Sequence, residues 1–252
     1  MTGGALYRRE IEITRAIAVR VPMVGEIVGH LEDYYALAAL VAATPSDLLV
    51  QLDDIGVDWS KLGDFELFCM LWPEVREKQR RNPEVFSLVF GDLDVSELEV
   101  AEIPGAGRLV IQDPGETIVI DAIVHNRICE ALRMVLGLKK NVRAPGNEAA
   151  RGFILEDERR RQRRAARGQK NPAALTQLEN AVVSLVNTAD FPYDFEGVLG
   201  LTILQFNESL RQVARKYAAD KLYIGVYAGT VDAKKLDNDD LTWMKTGEDS
   251  TL

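Results

Sequence analysis

Cysteine and histidine are almost absent from this chain, with two of each in 252 residues. Cys69 and Cys129 cannot build a disulfide framework, and a reducing cytoplasm suits them. His30 and His125 leave a hydrolytic triad or a histidine-rich metal centre with few candidates. Long apolar runs are missing too. The longest, Tyr34 to Ala43, is about half of the ~20 residues that a bilayer span requires, so no membrane segment is expected. The chain after Arg8, Arg9 and Glu10 alternates instead of forming an apolar block, so no signal peptide is expected. Glycine-rich loops are also lacking. Gly105-Ala106-Gly107 has no third glycine for a dinucleotide loop, and neither a Walker-type loop nor a Gly-x-Ser-x-Gly elbow occurs. These absences lead to the expectation of no catalytic residues, no metal, no cofactor and no enzymatic activity.

What the chain has is charge, unevenly placed. Its 39 Asp and Glu against 30 Lys and Arg give −9 overall, and 47% hydrophobic residues are enough to bury a sizeable core. Between Arg159 and Lys170, however, stand seven cations and no acid: Arg159, Arg160, Arg161, Arg163, Arg164, Arg167 and Lys170. The remainder of the chain therefore carries −16. An acidic body repels nucleic acid in general, while the basic segment attracts polyanions locally.

Hydrophobic periodicity places elements along the chain. Ile11, Ile13, Ile17, Val19 and Val21 share one parity, which predicts a strand over 10–21 that Pro22 ends. A helix is predicted over Gly25 to Ala43, then a short one through Leu48 to Leu52, and another from Asp64 to Trp72, with Pro73 beginning a further helix. Phe86, Leu88 and Phe90 alternate, as do Leu98 and Val100. With the turn dipeptides Gly91-Asp92, Pro104-Gly105 and Pro114-Gly115 they predict a small antiparallel sheet across 85–119, joined by the N-terminal strand. Asp121 caps an amphipathic helix that Gly137 closes. Helices follow from Pro145 through the arginine cluster, from Asn171-Pro172 to Val186, and over Thr202 to Asp220. Leu222 to Tyr227 reads as a strand or a continuation, and the tail is acidic. The expected class is α+β and helix-rich, with a small antiparallel sheet in the N-terminal half and a helical C-terminal half. The expected division is a mixed α+β domain at 1–140, a basic helix and linker at 141–172, and a helical domain with acidic tail at 173–252.

Each candidate site has a plainer reading beside it. His125 and Cys129, four apart on one helix, can meet on one face, but a structural zinc site takes four ligands, so a small buried thiol and an edge histidine is the better account. Asp237-Asn238-Asp239-Asp240 resembles the start of a calcium loop, yet the sixth position is Thr242 instead of glycine, and a capped turn fits better. Asp194 and Glu196 flank Phe195 in a loop and carry no assigned acid–base role. Arg159, Arg160, Arg163, Arg164 and Arg167, three and four apart, form a cationic helix face able to grip phosphates or an acidic partner. No aromatic residues are interleaved for base stacking, and a solvated helix held by Glu156, Asp157 and Glu158 is the competing account. Trp243 in the polar tail, and Phe191 and Tyr193 in a loop, are candidate anchors for a partner, against the alternative that they pack onto the chain's own core.

Five stretches carry a resemblance: QLDDIGVDWSKLGDFELF at 51–68, FGDLD at 90–94, VNTADFPYDFEG at 186–197, LTILQFNESLRQV at 201–213 and GVYAGTVDAKKLDNDDLTWM at 225–244. Together they resemble proteins encoded by phages and prophages of Gram-positive bacteria, commonly in the tail-morphogenesis region. The resemblance implies a protein of virion assembly that works by protein–protein contacts, chaperoning or docking the tape-measure or tube proteins, or a structural protein of the particle. It places the chain in the host cytoplasm during assembly, or in the virion. Self-association is a further expectation. The alternative is a nucleic-acid-associated factor that uses the arginine-rich helix at 159–170.

Overall fold

After a 3-10 turn at Ala5–Tyr7, the chain forms a hairpin instead of the single strand its alternation predicts. β1 (Glu10–Glu12) pairs antiparallel with β2 (Ala18–Arg20), Ile11 lying opposite Val19. The reversal is made by Thr14, whose Oγ1 accepts the N–H groups of Ala16 at 3.2 Å and Ile17 at 3.1 Å. Parity survives the turn, so two short arms read as one strand. The structure, a computed structural model, describes residues 4–103, 107–167, 176–236 and 241–243.

The helix predicted over 25–43 is two helices, α1 (Val24–Val28) and α2 (Leu31–Val41), broken at Gly29 and His30 where the His30 N–H donates to the Ile27 carbonyl at 2.8 Å. After α3 (Leu49–Asp54), α4 (Asp64–Arg81) runs straight through Pro73. Proline costs that helix one backbone donor. Buried Trp72 and Val75 on either side hold the helix on the core, so Pro73 starts no new element. α5 (Pro83–Phe90) replaces the predicted strand at 86–90. Asn82 caps it by accepting the Val85 N–H, and Pro83 opens it. Val85, Phe86, Leu88, Val89 and Phe90 are all buried, so the helix has almost no polar face, and the alternation of three of its residues is a chance of composition.

The predicted sheet then follows as β3 (Glu99–Ile103), β4 (Arg108–Gln112) and β5 (Val119–Ile120), an antiparallel meander in that order. The N-terminal hairpin does not join it and forms its own two-stranded sheet. α6 (Ala122–Leu136) has both predicted ends. Asp121 Oδ1 accepts the N–H groups of Ile123 and Val124, and Gly137 closes the helix at φ 66°, a conformation that a side chain disfavours.

The remaining α-helices among the described residues are α7 (Glu148–Arg167), α8 (Gln177–Val186), α9 (Phe195–Leu199) and α10 (Ile203–Tyr227). Thr176 with Glu179, and Thr202 with Gln205, cap α8 and α10 reciprocally. The predicted start of a helix at Asn171-Pro172 lies outside the described residues. Leu222 to Tyr227 continues α10 and is not a strand. The class is thus helix-rich α+β, with 57% of the described residues helical, its small antiparallel sheets in the N-terminal half and helices in the C-terminal half. Among the described residues, no helix is long and apolar enough to cross a membrane.

The main core draws on both halves. Ile17, Tyr34, Phe68, Trp72 and Phe86 share it with Leu132, Val135, Val198 and Phe206. Backbone bonds stitch the two ends together: Val24 N–H to Leu201 O at 2.9 Å, and Ile203 N–H to Pro22 O at 2.8 Å. A smaller cluster, with Leu49, Leu52, Trp59 and Leu67 at its centre, lies under α7.

Candidate functional site

The basic helix α7 begins where Asn147 Oδ1 accepts the Ala150 N–H at 2.8 Å, two residues after Pro145. Its first half is docked. Ile154 and Leu155 pack on the small cluster, and two arginines clamp the helix to α3. Arg151 Nη2 lies 3.6 Å from Asp53 and its Nε lies 3.4 Å from Asp58, while Arg159 Nη2 lies 3.0 Å from Asp53 and 2.5 Å from Asp54. One carboxylate, Asp53, thus serves two arginines placed two turns apart along α7. Arg143, in the connector before the helix, pairs with Glu158 at 3.0 Å. A hydrogen-bonded clasp fixes that connector. Asp47 accepts from Thr44 and from Asn141 Nδ2, the Thr44 hydroxyl donates to Asn141 O, and the Arg143 N–H donates to Ser46 Oγ.

The second half is turned to solvent. Beyond Arg159, α7 carries no acid, and among the described residues the cations there are answered only from within the helix. Arg160 pairs with Glu156 at 2.5 Å, Arg161 approaches Glu158 at 3.4 Å, and Arg163 Nε donates to the Arg159 carbonyl. Arg164 is exposed and has no carboxylate partner among the described residues, and the Arg167 side chain lies outside them. Such surface pairs within one helix are weak and exchange readily for an external anion. The predicted set therefore divides. Arg159 is spent on α3, whereas Arg160, Arg163 and Arg164 remain open to a partner. Sequence reasoning missed Arg151 as the second clamp. It lies outside the run, and its partners are about a hundred residues away in sequence.

The aromatic candidates separate as well. Phe191 is buried in the main core with its ring 5.3 Å from that of Tyr193. Tyr193 itself is 44% exposed, and Phe195 is 54% exposed. Trp243 is half-buried, and its carbonyl accepts from Gln212 Nε2 at 2.8 Å, which returns the tail to α10. The Asp237–Asp240 cluster lies outside the described residues.

His125 and Cys129 do meet, in the interior. His125 is buried, its ring stacked 4.1 Å from that of Phe68, and Nε2 lies 3.1 Å from the Val41 carbonyl. A carbonyl only accepts, so Nε2 carries the proton. Cys129 Sγ, 3.2 Å from the same nitrogen, reaches the same carbonyl at 3.6 Å. Burial pushes both cysteine thiols up to about 11 and lowers the basicity of His125 below its ordinary 6.5, the Val41 bond opposing this. The sign of the pH effect follows. Below pH 6.5 the unfolded chain binds a proton at His125 that the native state refuses, so stability falls as pH drops through 6.5. Denaturation midpoints measured from pH 7.5 to 5.5 are expected to decline for the native sequence. They should decline by less for His125→Leu, since each unit of pH costs up to ~1.4 kcal/mol per proton. Equal slopes would remove His125 from this role. Among the described residues, no group of three or more His, Cys, Asp or Glu side chains is placed to hold a metal ion.

Residues 168–248 match the family model described as YomV second domain, and YomV is a Bacillus phage-region protein. The match begins at the residue after α7 ends and takes in α8, α9 and α10. No curated protein and no solved structure matches the chain.

Proposed function

We propose that the protein is a non-enzymatic virion-assembly protein of a phage, acting in the tail region by docking other phage proteins, with the outer half of α7 as its contact arm. The observation that carries this reading is the arm itself. A strongly acidic chain holds its concentrated positive charge on the solvent-facing end of a clamped helix, where an acidic partner surface can reach Arg160, Arg163 and Arg164. The similarity of residues 168–248 to a domain of a phage-region protein supports the setting. The five stretches with their tail-region resemblance support the narrower place, with a tape-measure or tube protein as partner.

Co-expression with the tape-measure and tube proteins of the same phage, followed by size-exclusion chromatography, tests this. Co-elution is expected, and the triple change Arg160→Glu, Arg163→Glu and Arg164→Glu is expected to weaken it at least tenfold without altering the far-ultraviolet spectrum. The absence of co-elution with any tail protein overturns the reading. Retarding DNA in gels at low salt, with steep loss as salt rises, would favour contact with phosphates instead.

A further inference from the structure

The solvent-facing side of α7 carries more than charge. Successive residues of a helix turn by about 100°, so positions seven and eleven apart stand within about 20° of one line. Phe153, Arg160 and Arg164 are spaced in this way, and all three are exposed. The docked side lies opposite. Arg151, Ile154, Leu155, Glu158, Arg159 and Gln162 are the partly buried residues between 151 and 165, and all of them fall on the far half of the helix.

Phe153 is 71% exposed, the highest value among the eight phenylalanines, and its ring belongs to neither hydrophobic cluster. Its backbone is nonetheless fixed. Ile154 and Leu155, the next two residues, pack on the small cluster, and the ion pairs of Arg151 and Arg159 hold the helix to α3 on both sides of position 153. A ring without polar atoms is thus held out into water on a rigid element, so little ordering cost is left for a contact to meet. Phenylalanine and arginine are both enriched where proteins meet.

The stripe differs from end to end. Exposed Glu156 and Asp157 follow Phe153 by one turn, whereas from Arg159 onward the charged residues are all cations. At ~1.5 Å per residue, Phe153 stands about 10 Å before Arg160 and about 16 Å before Arg164. A phosphate backbone is negative along its whole length and is repelled by the two carboxylates beside the ring. An anionic bilayer meets the same carboxylates, and a single ring is slight anchorage for a helix. A protein surface with carboxylates on one side of an apolar pocket matches the whole stripe.

We propose that Phe153 is the apolar anchor of the α7 arm, entering a pocket on an acidic partner protein while Arg160 and Arg164 pair with carboxylates beside that pocket. The two ends of the stripe then fix the direction in which the arm docks. The inference rests on the docking role proposed for α7 and names the remaining half of its partner's chemistry.

The test takes whichever of the tape-measure and tube proteins co-elutes with the whole chain and titrates it calorimetrically with the native chain, Phe153→Ala and Phe153→Leu, at about 50 mM and about 500 mM salt. Phe153→Ala is expected to raise the dissociation constant about tenfold at both salt concentrations, because an apolar contact is not screened. Phe153→Leu is expected to keep most of the affinity. The loss caused by the triple arginine change is expected to shrink as salt rises. In urea, Phe153→Ala should be no less stable than the native sequence, since alanine favours the helix and the ring supports no core cluster. Binding that falls with the arginine changes but ignores Phe153→Ala overturns this inference and leaves the docking role standing, whereas the absence of co-elution ends both. A Phe153→Ala effect that disappears at high salt, or that comes with lost stability, also overturns it. So does binding to phosphatidylglycerol vesicles, or self-association in sedimentation equilibrium, that Phe153→Ala abolishes, since the ring then serves a membrane or a second copy.

Discussion

Trp72→Ala is expected to lower the free energy of unfolding by about 3–5 kcal/mol, a fall in melting temperature of roughly 10 °C. Trp72 is buried in α4, its ring set edge-on to Phe68 at 5.4 Å, and its indole N–H donates to the Leu98 carbonyl at 2.9 Å. Truncation opens a cavity in the main core and also strands that carbonyl without its donor. The two costs separate by substitution. Trp72→Phe keeps much of the ring and loses the hydrogen bond, so it should cost about 1–2 kcal/mol. Equilibrium denaturation in urea measures both. A loss under ~1 kcal/mol for the alanine variant would contradict this account of the core.

Phe206→Ala is expected to cost a similar 3–5 kcal/mol, and its effect should be felt far from the substitution. Phe206 lies in the first turn of α10, 1% exposed, in the same core cluster as Ile17, Tyr34 and Phe86. Next to it, Ile203 and Leu201 bond the backbone of Pro22 and Val24. Loosening α10 therefore loosens the hairpin and α1 with it. In a Trp243→Phe background, tryptophan emission reports only Trp59 and Trp72, which lie well over a hundred residues earlier in the chain. Fluorescence and circular dichroism are expected to shift together, in one transition, to the lower urea midpoint. Two separated transitions, with the tryptophans unmoved, would show that the front of the chain folds without α10.

Local chemistry made parts of this fold legible in advance. Asp121 and Gly137 bracket α6 because a carboxylate at one end and a residue free to take positive φ at the other satisfy the orphan backbone groups of any helix, wherever it packs. Elements set by burial on all sides were not legible. α5 is apolar around almost its whole circumference, so no period distinguishes helix from strand, and Asn82-Pro83 was the better signal. Thr14 turned one apparent strand into two through a side-chain bond that period-two counting ignores. The candidate site divided in the same way. The arginine run was visible as charge. What each arginine does depends on whether Asp53 or Asp54 lies within reach, and that is set by the packing of α3 on α7, not by the sequence near the run.

The two interior thiols bear on where such a protein can travel. At about 11, neither Cys69 nor Cys129 holds a meaningful fraction of thiolate near neutral pH, and both lie beneath the surface. Thiolate is the form that peroxide and disulfides attack. A particle released by lysis passes from a reducing cell into air-equilibrated medium, where exposed cysteines cross-link or over-oxidise. In the virion-assembly role we propose, a chain retained in the particle would carry its sulfur through that change in a form that oxidants do not readily reach.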